Sequence, residues 1–169
     1  MSVEKIIDLE ALEKRLRSNP AEREGLVLAN GLFDLLHVGH VRYLEAARDA
    51  GRALVVALNS DDSARRLKGG GRPFVPLAER LEIVAALGCV SWVTWFDDPN
   101  VEGILRRLGP AVHAKGTDYT VESVPERAVA RELGIRTVIV GDPKRHASSE
   151  MITRIQSRAM DREGTHGRS

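Results

Sequence analysis

A doubly wound parallel sheet with helices on both faces is the fold class this sequence predicts, and three observations predict it. Short apolar runs at residues 26–29 and 53–58 lack polar alternation, the pattern of strands covered on both faces. Segments with helical spacing separate these runs, so strand and helix alternate along the chain. Polar clusters follow one strand after another, and sheets of this kind bind ligands beyond the carboxyl ends of their strands, at the topological switch point.

The elements follow in order. Leu9, Leu12 and Leu16 recur at helical spacing, giving a first helix that leans on the body until Ser18, Asn19 and Pro20 stop it. Residues 26–29 form the first strand. The helix after it carries Val41, Leu44 and Ala47 on one face and ends near Gly51, a good C-terminal cap. After the strand at 53–58, residues 59–62 cap a short helix that runs through Leu67. Residues 68–73 are a mobile basic loop, and Pro76 opens a helix reaching Leu87. Residues 90–96 form the third strand, 100–108 a helix and 111–114 a short strand. Residues 125–133 form a helix and 136–140 the last strand. A final helix starts at Ser148, Ser149 and Glu150. The chain divides into a helical extension (1–24) packed on one domain (25–160), and a flexible polar tail (161–169).

Composition narrows the function. The 169 residues are 43% hydrophobic and 29% charged, ordinary for a soluble globular domain able to bury its own core. A formal charge of +1 gives no broad basic field, so nucleic acid is not the expected partner. The single cysteine, Cys89, excludes an intrachain disulfide framework and reads as a small buried hydrophobe. No run approaches membrane-spanning length and no signal-peptide core is seen, so the expected location is cytoplasmic, with no membrane partner. The apolar faces around Trp92 and Trp95 fit either core packing or a homodimer.

The chemistry concentrates in Asn30-Gly31-Leu32-Phe33-Asp34-Leu35-Leu36-His37-Val38-Gly39-His40. A strand, a glycine-punctuated turn and a helix aim backbone N–H groups and a positive dipole end at one point, as a phosphate site requires. His37 and His40 sit where that phosphate would lie. Zinc is the weaker reading, since no other histidine or cysteine completes a ligand set; no protein-only metal site is expected. Residues 109–115 fail as a P-loop, because Ala114 replaces the second glycine and Gly116 follows Lys115. No GxGxxG is present. Lys68, beside Gly69-Gly70-Gly71, can carry a cation over a polyphosphate. Taken alone, Glu79 and Arg80 read as a solvated face, Ser148 and Ser149 most simply as an N-cap, and His113 as a packed core or rim histidine rather than a catalytic one. His146 is a candidate for the edge of the site, and His166 has no assigned role.

Six pieces in the same order resemble the HxGH nucleotidyltransferases: the Asn30–His40 turn; Asn59-Ser60-Asp61; Arg66-Leu67-Lys68-Gly69 with Arg72-Pro73; Glu79-Arg80; Lys115-Gly116-Thr117-Asp118-Tyr119; and the Ser148-Ser149 helix start. Class I aminoacyl-tRNA synthetases share the histidine motif, but this chain is short and has no KMSKS-like loop. It is most similar to the adenylyltransferases that form ADP-heptose from D-glycero-β-D-manno-heptose 1-phosphate. Three positions depart from that pattern: Leu32 stands for a usual cysteine, Ser91 for a common aspartate, and Ala147-Ser148-Ser149 for a Ser-Thr-Thr-like run.

The resemblance implies a Rossmann-like, five-stranded HUP-type domain and direct transfer of AMP from ATP to the sugar phosphate, with pyrophosphate leaving. His37, His40 and Lys68 would be catalytic. Nucleotide and phosphate would be bound by Asn30, Gly31, Phe33, Asp34, Gly39, Asn59, Arg80, Lys115, Gly116, Asp118, Ser148 and Ser149, with Asp61, Lys144 and His146 at the margin. Mg²⁺ would arrive on the ATP phosphates, and a separate sugar kinase would supply the 1-phosphate. A cytidylyltransferase acting on glycerol 3-phosphate or a related alcohol phosphate shares the turn. A non-catalytic nucleotide-binding module would keep the sheet without the reaction.

Overall fold

The computed structural model describes residues 2–142 and, beyond them, positions 152, 153, 155 and 157, which are helical. A 3-10 turn, Ser2–Lys5, leads into helix α1 (Leu9–Ser18) and a single turn, α2 (Pro20–Arg23). There follow β1 (Leu26–Gly31), α3 (Val38–Asp49), β2 (Ala53–Asn59), α4 (Asp61–Lys68), α5 (Leu77–Ala85) and β3 (Trp92–Phe96). The chain continues through α6 (Glu102–Leu108), β4 (Val112–Gly116), α7 (Arg127–Glu132) and β5 (Arg136–Val140). All strand pairs are parallel, in the order β3-β2-β1-β4-β5. This is the doubly wound, Rossmann-like sheet that the alternation predicts.

Side chains alternate across each strand and so feed two cores. From β1, Val27 and Ala29 pack with Leu44 and Ala47 of α3 and with Leu81, Val84 and Ala85 of α5. Leu26 and Leu28 face the other way, toward Leu12 and Leu16 of α1, Ile104, Leu105 and Leu108 of α6, and Val129 and Ala130 of α7. Chain direction explains the split. Right-handed crossovers from β1 through β2 to β3 place α3 and α5 on one face. The jump back from β3 to β4 reverses the march, and α6 and α7 cover the opposite face.

Local signals set the element ends. Asp8 accepts from the Ala11 N–H at 2.9 Å and caps α1, and Ser60 accepts from the Ser63 N–H at 3.0 Å and caps α4. Gly51 corrects the expected cap, because α3 closes on Ala50 instead. The glycine is needed for a close approach: a Cβ there would stand 2.3 Å from the Gly25 carbonyl oxygen and 2.5 Å from Val27 Cγ2. The N-terminal segment does more than lean on the sheet. Ile6 bridges to Val93 and the Ile7 N–H donates to the Val93 carbonyl at 3.0 Å, which covers the edge of β3. Among the described residues, no helix is long and apolar enough to cross a membrane.

Candidate active site

The turn between β1 and α3 is tighter than its sequence suggests. Helix α3 begins at Val38, so His37 is its N-cap and Gly39 and His40 lie within the first turn. The two imidazoles stack with centroids 3.9 Å apart and planes inclined by 25°. His40 Nδ1 accepts from the His37 backbone N–H at 3.4 Å. Burial, reinforced by the neighbouring His37, lowers the His40 pKa to about 4, so the ring is neutral at physiological pH. A neutral ring that accepts at Nδ1 carries its proton on Nε2, which makes Nε2–H a donor.

Phe33 takes a supporting role in place of the expected ligand contact. Its side chain is buried and its ring lies 5.3 Å from that of His40 and 6.5 Å from that of Tyr43. Its φ of 49° is left-handed, a conformation that costs a non-glycine residue about 1–2 kcal/mol. Gly31 makes room for this tuck, because a Cβ there would come within 3.0 Å of Phe33 Cε2.

Four predicted ligands prove to fasten loops. Arg80 is 0% exposed, and its guanidinium donates to the carbonyls of Val75 (2.9 Å), Leu32 (2.8 Å) and Asn59 (2.9 Å) and to Asp61 Oδ1 (2.6 Å). Four of its five N–H donors are thus spent on protein atoms, which corrects its assignment to phosphate. Asp61 receives that guanidinium through Oδ1. Asn59 turns its side-chain amide inward to Ser63 Oγ at 3.0 Å. Asp34 is buried and accepts at Oδ1 from the N–H groups of Phe74 (2.8 Å) and Val75 (2.9 Å), while Arg72 Nε lies 2.7 Å from Oδ2. The carboxylate therefore ties the end of the glycine loop to the histidine turn.

A second cluster occupies the switch point. The β1–β4 pairing runs only to Ala29 opposite Ala114, although β1 continues to Gly31 and β4 to Gly116. Beyond that point Asn30 Oδ1 meets His113 Nε2 at 3.2 Å and Lys115 Nζ at 3.3 Å. Lys115, 5% exposed, also reaches Glu126 Oε2 at 3.4 Å and lies 4.8 Å from the centre of the Tyr119 ring. Burial lowers its pKa, and Glu126 works in the opposite direction. The expected direct hold of Lys115 on the nucleotide is therefore corrected: its ammonium is held beneath the crevice. Burial, then the Lys115 charge, lowers His113 to about 4.

The remaining candidates are more open. Lys68 is exposed at the last position of α4, and Gly69, Gly70 and Gly71 have empty space where a Cβ would stand. Gly116 ends β4 with the same freedom, and Asp118 is exposed beyond it. Lys144, His146, Ser148, Ser149 and the tail from residue 161 lie outside the described residues. Three contributors escaped sequence reasoning. Glu126 was only a position in the helix read at 125–133; Arg72 entered only as part of the basic loop and of the Arg72-Pro73 motif piece; Tyr43, whose hydroxyl donates to the Ala114 carbonyl at 2.8 Å, was assigned no role.

A strand order of 3-2-1-4-5 with a paired-histidine helix start at the end of the central strand defines the nucleotide-handling class of Rossmann-like domains. The family model described as cytidylyltransferase-like matches residues 28–159, and the chain belongs to that family, the nucleotidyltransferases. The bifunctional protein HldE of Geotalea uraniireducens (strain Rf4) is 43% identical over 153 residues, 90% of this chain and 31% of that protein. Its namesake from Streptomyces coelicolor is 44% identical over 144 residues, 85% of this chain and 30% of that protein. The chain thus spans about a third of the length of these curated relatives. Among solved structures, the lipopolysaccharide core biosynthesis protein of Thermoplasma volcanium GSS1 superposes with a TM-score of 0.61 at 23% identity, over 72% of this chain and 99% of that one. Pantothenate synthetase of Thermus thermophilus gives 0.57 at 17% identity, over 80% and 61%. These two likenesses establish the fold.

Proposed function

We propose that the protein is an adenylyltransferase that moves AMP from ATP to D-glycero-β-D-manno-heptose 1-phosphate, giving ADP-heptose and pyrophosphate. The observation that carries this reading is the stacked His37–His40 pair at the N-terminus of α3, with His40 Nδ1 accepting from the His37 backbone N–H and its pKa lowered to about 4. The sequence motifs, together with 43% identity to an HldE protein across 90% of the chain, favour ADP-heptose formation within the family.

A phosphate oxygen of the heptose 1-phosphate attacks the α-phosphorus of ATP in line, and the bond to the β-phosphate oxygen breaks. Pyrophosphate leaves with that electron pair. No covalent protein intermediate forms, so the protein supplies position and charge stabilisation. His40 Nε2 and His37 donate to phosphate oxygens as negative charge moves onto the leaving group, and the α3 dipole adds to that field. Lys68, the exposed last residue of α4 just before the glycine-rich segment, would reach over the β- and γ-phosphates.

Mg²⁺ neutralises charge on the triphosphate when bound. It would arrive on the ATP phosphates, with phosphate oxygens and water as its ligands. The sugar 1-phosphate is a kinase product, which makes a sugar kinase the upstream partner. Cytoplasmic assembly of lipopolysaccharide core or a related glycoconjugate is where the product would be used.

Pyrophosphate release, measured with ATP and CTP against heptose 1-phosphate and glycerol 3-phosphate, tests the proposal. The expected result is turnover with ATP and the heptose. A preference for CTP with the polyol phosphate would replace the substrate pair. Nucleotide binding with no pyrophosphate under any pairing would leave a binding module.

A further inference from the structure

Hydrogen-bond bookkeeping at the switch point fixes the orientation of one amide. Lys115 Nζ can only donate, so the Asn30 atom 3.3 Å from it is the carbonyl oxygen. That oxygen cannot donate, so His113 Nε2 at 3.2 Å must carry the ring proton. The tautomer agrees with the rest of the ring: Nδ1 is buried without a hydrogen-bond partner, and the ring is neutral at physiological pH. Two donors converge on Asn30 Oδ1 and hold the amide plane in place. Its NH₂ has no partner among the described residues, and Asn30 is half-exposed where β1 and β4 part. Lys115 and His113 also polarise the amide, which strengthens its free end as a donor. Glu126, in turn, holds Lys115.

We propose that His113 and Lys115 are positioning residues that act through Asn30: by holding its Oδ1 they aim its side-chain NH₂ into the switch-point crevice, where it makes the phosphate contact that the family resemblance implies for Asn30. This rests on the nucleotidyl-transfer reading above and reassigns Lys115 within it. The phosphate oxygen belongs either to ATP or to the sugar phosphate, two sources with the same chemistry.

Three variants test the inference, each read by thermal midpoint and by steady-state pyrophosphate release with ATP and heptose 1-phosphate varied in turn. Asn30→Asp keeps an acceptor for Lys115 and His113 but replaces the NH₂ by an anionic oxygen. It is expected to hold or raise the thermal midpoint and lower kcat/KM by about 10- to 100-fold, the scale of one hydrogen bond to a charged group. The substrate whose KM rises identifies the source of the oxygen. His113→Leu removes the donor to Oδ1 along with the orphaned Nδ1, so it is expected to keep the midpoint while lowering kcat/KM about 10-fold, with His113→Gln, which can still donate, recovering most of the loss. Asn30→Asp within about twofold of wild-type kcat/KM would overturn the inference alone. Loss of activity only in proportion to lost stability, with no rescue by Gln, would return His113 to a structural role and overturn its part. A wild-type protein that releases no pyrophosphate would overturn the functional reading and this inference with it.

Discussion

Arg80 is a guanidinium turned to architecture. Its four bonds reach Leu32 on the histidine turn, Asn59 at the end of β2, Val75 on the glycine loop and Asp61 in α4. A fixed planar fork can satisfy several carbonyls at once, as an ammonium cannot. Arg80→Met leaves three buried carbonyls and a carboxylate short of donors, and is expected to cost about 3–5 kcal/mol in urea denaturation. An unchanged urea midpoint with lost pyrophosphate release would send Arg80 back to the phosphates. The sequence showed a cation near the site, but not where its donors point. The same blindness affected Asn59, Asp34 and Lys115: residue type and spacing locate a polar group, while neighbours far away in the chain decide whether water, ligand or backbone satisfies it. His113 was easier, since a histidine inside an apolar strand has few places to go but inward.

At the scale of elements, pattern was the better guide. All five strands overlap the segments read as strands, and β1 and β2 are the plainest, because a strand covered on both faces writes both layers of contact into one uninterrupted run. Ends were harder to read. Helix α3 starts at Val38 because His37, an unusual N-cap, is held by its stacking with His40, and β4 runs on through Lys115 because Glu126 and Asn30 can receive that ammonium. The bridge from Ile6 to Val93 left no sequence signal, since its partner is decided only once the sheet has formed. Gly51 belongs to this scale as well. It lets the α3–β2 connection press on Gly25 and Val27, so Gly51→Ala is expected to cost about 1–3 kcal/mol through overpacking, seen as a lowered thermal midpoint. A substitution without effect would mean that this junction has slack.

For the molecule as a whole, the site is a meeting of chain segments: a turn from β1, a glycine loop pinned by Asp34, and a buried network from β4 and α7. The parallel sheet brings them to one edge, and its switch point opens between β1 and β4. Two neutral imidazoles, His40 and His113, are folded into this edge with pKa values near 4, against an ordinary 6.5. The unfolded chain therefore takes up protons as pH falls below about 6.5, while the folded one resists until about 4. Stability is full above the upper value and is lost across that window. Thermal midpoints recorded from pH 7 to 4.5 are expected to fall steadily, and the His113→Leu variant to fall less steeply. A flat profile would mean that the imidazoles are already charged in the folded protein.

The measurement closest to the centre of this account is pyrophosphate release by His40→Ala beside wild type, with both proteins matched for thermal stability. In the proposed reaction the lost side chain would be a preorganised donor to the departing phosphate, so kcat is expected to drop by about 10²–10³ while the fold is retained. A folded His40→Ala protein that turns over at close to the wild-type rate would contradict the assignment of chemistry to this turn.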